Sequence, residues 1–296
     1  MLFRATDQTR AEALERFLAG FASTRDPQGA SVRLGARFPA MPRRRADQVV
    51  DGFHLWTAGT TMHVDLAPTA RATANDTTAL VGVTDEAALR SFPVAFLFVA
   101  THLLAMHDRF LVHAGAVAHR GEAYVVVGGS GMGKSTLVAA ALDSDWQALA
   151  DDMTVVRAEG SRLRVSGIRR PVAVPADVAP SLGAVPAPGD ARGRRVVPPS
   201  ALESGWLPVV GLIAVGHGAS SAGRLEPVAG QEALRLVLKS FTSVANPNLL
   251  RRFFGPAAAL SRLPCWRLEH GADPTTRLES ARRLLRDVLA GPLAHP

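Results

Sequence analysis

Residues 123–136 join a strand to a glycine-rich turn and the turn to a helix. Ala123, Tyr124, Val125, Val126 and Val127 suit a fully buried strand, and residues 136–142 continue as a helix. Between them the spacing Gly-x-x-x-x-Gly-Lys-Ser runs from Gly128 to Ser135. Glycines let the backbone turn tightly, so that successive N–H groups converge on phosphate oxygens. The positive end of the following helix favours the same anion. In this pattern the lysine, Lys134, reaches the β- and γ-phosphates, and the hydroxyl of Ser135 reaches Mg²⁺. Gly128, Gly129, Ser130, Gly131, Met132, Gly133, Lys134, Ser135 and Thr136 are therefore the expected binding segment for the phosphates of a nucleotide with Mg²⁺. A strand, a phosphate-binding turn and a helix in succession require an α/β fold.

Composition sharpens one of these positions. Of the 33 basic residues in the 296-residue chain, two are lysines, Lys134 and Lys239. The background thus replaces almost every lysine with arginine, yet a lysine stands in the turn. An ammonium is a compact charge that fits inside such a loop, whereas a guanidinium fork does not. The net charge of +7 comes from arginines spread along the chain, so no nucleic-acid partner is expected. The single cysteine, Cys265, excludes an internal disulfide framework and a multi-cysteine zinc site. It lies in an apolar stretch and reads as a buried thiol. The N-terminus lacks the apolar core of a signal peptide, and the longest apolar run, 92–106, is too short to span a bilayer. No membrane association and a cytoplasmic location are expected.

Phosphoryl transfer also needs a carboxylate for the metal and a group that handles the acceptor's proton. Leu149-Ala150-Asp151-Asp152 supplies two carboxylates at the end of the next expected strand, 146–150, seventeen residues after Lys134. Successive residues at a strand end point to opposite sides. One aspartate can face the metal and the other an incoming hydroxyl, and the pattern does not say which. Ser135, Asp151 and Asp152 are the candidate metal ligands. The short spacing leaves room for one helix. Neither a Leu-Ser-Gly-Gly-Gln signature nor an Asn-Lys-x-Asp guanine motif occurs.

Elsewhere an amphipathic helix is expected over 8–22 and half-buried strands over 53–57, 61–66 and 79–83. A long helix over 85–107 is expected to pack on the sheet that follows it. Strands are expected over 110–118, 123–127, 153–157, 162–165, 209–215 and 266–268, and helices over 231–241, 249–263 and 275–289. Residues 171–208, rich in Pro, Gly and Arg, read as a long loop of lid type. The expected division is a small N-terminal α+β subdomain, 1–90, that caps the core or recognises substrate, followed by a catalytic domain, 91–296.

Three motifs together resemble the HPr serine kinase/phosphorylase family. They are Leu111-Val112-His113-Ala114-Gly115-Ala116-Val117, then Gly129 to Ser135, then Leu149 to Asp152. More weakly, Gly167 to Val174, Gly193 to Pro198, Arg224 to Pro227 and Leu263 to Leu268 are similar to the short HPr-kinase-like proteins of peptide natural-product clusters, in which lasso-peptide precursors are phosphorylated on serine. The resemblance covers about residues 95–290. It implies a P-loop kinase core of the HPr kinase and phosphoenolpyruvate carboxykinase type, with a mixed β-sheet. It implies ATP and Mg²⁺ as cofactors and a serine hydroxyl as acceptor, in a peptide or protein. It further implies that Lys134, Asp151, Asp152, His113 and Arg170 are catalytic, with Arg169 and Arg195 as further candidates for phosphate or substrate, and it allows a homo-oligomer. The Glu-Val/Ile-Arg-Gly-Leu-Gly-Ile signature of true HPr kinase/phosphorylases has only a remnant here, Val165 to Arg169, which argues against HPr itself as substrate. A small-molecule kinase, acting on free serine or another metabolite alcohol, is the alternative that a deep closed pocket would favour. A nucleotide-dependent switch without catalysis is the third reading, and two retained carboxylates speak against it.

Overall fold

A computed structural model of the chain describes residues 2–12, 31–35, 38–50, 52–66, 68–83, 92–142, 144–160, 162–168, 170–174, 179–186, 195–198, 201–217, 224–241, 247–270 and 277–290. It is a mixed α/β structure that divides into two compact units, 1–110 with 242–254 and 111–241 with 255–296.

The first unit holds a seven-stranded sheet. Its strands are β1 (Leu2–Ala5), β2 (Ser31–Gly35), β3 (Gln48–Val50), β4 (Phe53–Ala58), β5 (Thr61–Leu66), β6 (Ala70–Ala74) and β7 (Thr78–Val83), in the order β1-β2-β7-β6-β5-β4-β3. Alternate residues face opposite sides. Val32, Leu34, Leu55, Met62, Val64, Ala72, Ala74 and Val81 are buried on one side. Helix α1 (Phe92–Met106) packs there through Ala95, Phe96, Val99, Ala100 and Leu103, a stripe at helical spacing.

The helix expected over 85–107 therefore packs on the sheet that precedes it. The expected boundary at 90/91 separates α1 from the sheet it covers, whereas the compact units part at 110/111. Of the helix expected over 8–22, residues 8–12 are helical and 13–22 lie outside the described residues. Asp7 Oδ1 accepts the N–H of Arg10 at its start.

In the second unit, apart from the first two residues of β8, the strands are β8 (Arg109–Val112), β9 (Gly115–His119), β10 (Glu122–Val127), β11 (Gln147–Ala150), β12 (Thr154–Glu159), β13 (Arg162–Gly167), β14 (Val172–Val174), β15 (Val185–Pro186), β16 (Arg195–Val197), β17 (Leu207–His217), β18 (Arg224–Pro227) and β19 (Cys265–His270). The main sheet runs β11-β9-β10-β17-β13-β12-β8, and β19 pairs with β17 and β18 off this path. β17 pairs in parallel with β10 on one side and β19 on the other, β9 runs antiparallel to β10, and β11, antiparallel to β9, runs in the same direction as β10. The β9–β10 turn places Arg120 and Gly121 at positive φ, as a two-residue hairpin requires.

Helix α2 (Lys134–Leu142) and helix α5 (Arg277–Ala290) cover one face of this sheet. Two further helices among the described residues are α3 (Gly230–Ser240) and α4 (Pro247–Ser261), of which 247–254 belong to the first unit. The stretch expected as a lid loop, 171–208, instead contains the small antiparallel sheet β14-β16-β15. Val172, Val174 and Val197 alternate inward and join the core around α2, which anchors it. Among the described residues no helix is long and apolar enough to cross a membrane.

Candidate active site

Strand β10 ends at Val127, and the chain turns through Gly128 to Gly133 into α2 at the carboxyl edge of the parallel strands. Gly133 has φ +100°, and a Cβ there would lie 2.3 Å from Cδ2 of His270. Lys134 folds back into the turn. Its Nζ donates to Gly128 O at 2.8 Å and to Gly129 O at 3.1 Å.

The two aspartates reach this turn through strand register. β11 runs antiparallel to β9 with Ala150 opposite Ala116, so Asp151 and Asp152 come alongside Gly115 and Ala114. A side chain at Gly115 would meet Asp151 O at 3.0 Å, so glycine lets the two strands close up there. Just before β9 the chain bends: Ala114 N–H donates to Val112 O and His113 N–H to Ser240 O. The break divides what reads as one strand, 110–118, and turns the His113 ring outward. His113 Nδ1 lies 3.0 Å from Asp152 Oδ1. The β12–β13 hairpin closes with Ile168 N–H on Met153 O, which returns Arg170 to the pair. Arg170 Nη1 lies 3.9 Å from Asp152 Oδ2.

Two adjacent carboxylates thus occupy different environments. Asp151 is 9% exposed, and burial pushes it up to about 6, against the Ser135 hydroxyl, the Ala173 N–H and Lys134, which favour its ionised form. Its Oδ1 has no hydrogen-bond partner. Asp152 is held below the ordinary carboxylate range by the hydrogen bond from His113, with Arg170 and Lys134 adding to it. Burial pulls Lys134 down while Asp152 and Asp151 oppose that. Neighbouring titratable groups driven apart in this way are a mark of acid–base sites.

The donor set at Ser135 and Asp151 suits Mg²⁺. That ion is held by one or two carboxylates together with substrate phosphates rather than by an all-protein cage. Among the described residues no cluster of three or more His, Cys, Asp or Glu side chains could hold a metal by itself. The unpartnered buried oxygen of Asp151 is an acceptor that a hard cation would satisfy.

Of the residues expected from sequence, Gly128 to Thr136, Asp151, Asp152, His113 and Arg170 lie together. Arg195 lies on β16, paired with Val174, and Arg169 lies outside the described residues. Two residues at the turn carry no sequence signal. His217 Nε2 is 2.8 Å from Gly131 O, and His270 Nε2 is 3.2 Å from Gly133 O. The expected strand 266–268 extends to His270 in the structure, which is what brings that side chain to the turn.

No protein-family model matches the chain, and no curated protein sequence matches it. Among solved structures the chain is similar to the HPr(Ser) kinase/phosphatase from Coxiella burnetii. The identity is 14% and the TM-score 0.30, over 61% of this chain and 99% of that one. The likeness is a distant one.

Proposed function

We propose that the protein is an ATP- and Mg²⁺-dependent kinase of the HPr serine kinase type, which transfers the γ-phosphate to a serine hydroxyl of a peptide or protein. The observation that carries this reading is the contrast between the surroundings of the two aspartates, beside a glycine-rich turn with a lysine folded into it. Asp151 sits with Ser135, and Asp152 sits with His113 and Arg170.

In this reading the turn and Lys134 hold the β- and γ-phosphates. Ser135 and Asp151 hold Mg²⁺, which when bound neutralises charge on the phosphates. Asp152 takes the proton of the acceptor hydroxyl as its oxygen bonds to the γ-phosphorus and the bond to the β-phosphate oxygen breaks, with ADP leaving. His113 orients Asp152 through its Nδ1. Arg170 stabilises charge on the transferred group. Catalysis is then positioning and electrostatics, as the loose phosphoryl transition state demands.

The side chains of Asp152 and His113 are 41% and 51% exposed. An open approach of this kind favours a peptide or protein acceptor over an enclosed metabolite.

Incubation of the protein and a cell extract with γ-labelled ATP, separated by mass, tests the proposal. Label should appear on serine in the peptide or protein fraction. Lys134→Ala should abolish it, and Lys134→Arg should do nearly as much harm because the fork does not fit the turn. Label confined to small metabolites would move the acceptor to a small alcohol, and normal turnover in Lys134→Ala would sink the kinase reading.

A further inference from the structure

We infer that His217 and His270 form a two-point clamp that sets the direction of the phosphate-binding turn, and that they are positioning residues for nucleotide. This rests on the proposed kinase reading. His217 closes β17 and His270 closes β19, and the two are register partners on adjacent parallel strands. Register partners project from the same face of a sheet. Both rings therefore arrive from one side and meet the turn at alternate peptide units, His217 at Gly131 O and His270 at Gly133 O.

A carbonyl oxygen can only accept, so each Nε2 carries the proton and donates. In a trans peptide the carbonyl and the next N–H point in opposite directions. Holding Gly133 O against His270 turns the Lys134 N–H the other way. Lys134 opens α2, and a first-turn N–H has no partner within its helix. That N–H is the donor a phosphate oxygen would use. Holding Gly131 O fixes the Met132 peptide unit similarly; its N–H presently spans the turn to Gly129 O at 3.3 Å.

Gly133 O already accepts the N–H of Leu137 at 3.0 Å. The carbonyl therefore does not need the histidine to be satisfied, and the second bond acts on its direction. The fit is close as well. His270 is fully buried, and its ring fills the space that a Cβ at Gly133 would occupy. His217, by contrast, is exposed. One histidine is thus locked in the core, and the other meets the same turn where solvent can reach it.

The test uses the full chain and the variants His217→Ala, His270→Ala and His270→Gln. Amide exchange of residues 128–136 is measured in the ligand-free protein, with β10 as internal control. A fluorescent ATP analogue is titrated with Mg²⁺. Each alanine variant should speed exchange in the turn and leave β10 protected. Each should weaken nucleotide binding about five- to tenfold, the effect of one net hydrogen bond. KM for ATP should rise more than kcat falls, since the clamp acts on ground-state binding. His270→Gln, which keeps a donor, should lie between wild type and His270→Ala. His217→Ala folds without difficulty because its side chain is exposed, so wild-type exchange and affinity in that variant would overturn the clamp. If the wild-type protein bound no nucleotide, the ATP reading would fall, and the clamp would be judged by the exchange data alone.

Discussion

Replacing Asp151 by Asn should stabilise the ligand-free protein at neutral pH while removing its turnover. Burial raises this carboxyl from 3.8 to about 6. At 1.36 kcal/mol per pH unit, holding it ionised costs the folded state about 3 kcal/mol as an upper bound. Well below the unfolded value the group is protonated in both states, and the two proteins should be equally stable apart from the contacts of the amide itself. As pH rises through the interval between 3.8 and about 6, the unfolded chain gives up its proton and the folded one does not, so wild-type stability falls. Above that interval the gap between wild type and variant is constant. About half of the full gap should be present near pH 5 and nearly all of it near pH 7. Urea unfolding of both proteins across that range measures the difference, and the change in the difference with pH cancels the amide's own contacts. A growth in the gap of about 1.3 kcal/mol from pH 5 to pH 7 is expected. Magnesium and ATP together should narrow the gap, because they bind the wild-type site. A gap that is flat with pH, or an Asn variant less stable near pH 8, would refute the assignment of Asp151 as a buried carboxylate held in readiness for a cation.

His113→Ala removes the main cause that holds Asp152 below the ordinary carboxylate range. If Asp152 is the base, the acid limb of the pH–rate profile should move to higher pH and turnover should fall at least about tenfold; an unmoved limb would separate His113 from the chemistry. Cys265 is buried, and its thiol is pushed up to about 11. It should resist a thiol reagent near pH 8 in the native protein and react at once in urea, since the thiolate is the reactive form.

What the sequence disclosed follows the range over which its signals act. The turn from Gly128 to Ser135 is local: glycine spacing, a buried strand before it and a helix after it are all read within a few residues, and the structure places a strand–turn–helix there. The aspartate pair was legible because only one short helix separates it from Lys134. The roles of the two aspartates were not legible, because they depend on partners brought by pairing. The β9–β11 register delivers His113 to Asp152, and the β12–β13 hairpin delivers Arg170. The small sheet within 171–208 was hidden because its strands are two or three residues long and separated by Pro- and Gly-rich sequence, below the length at which alternation is visible. The face that α1 covers was hidden for another reason. A helix apolar on most of its circumference does not say which sheet it packs against. His217 and His270 carry no motif, yet they touch the turn from 86 and 137 residues away. Their contact follows from where β17 and β19 end relative to β10, a property of three parallel strands together. The same parallel arrangement brings the strand ends, the helix N-terminus and both histidines to one edge of the sheet, where open α/β sheets hold their ligands.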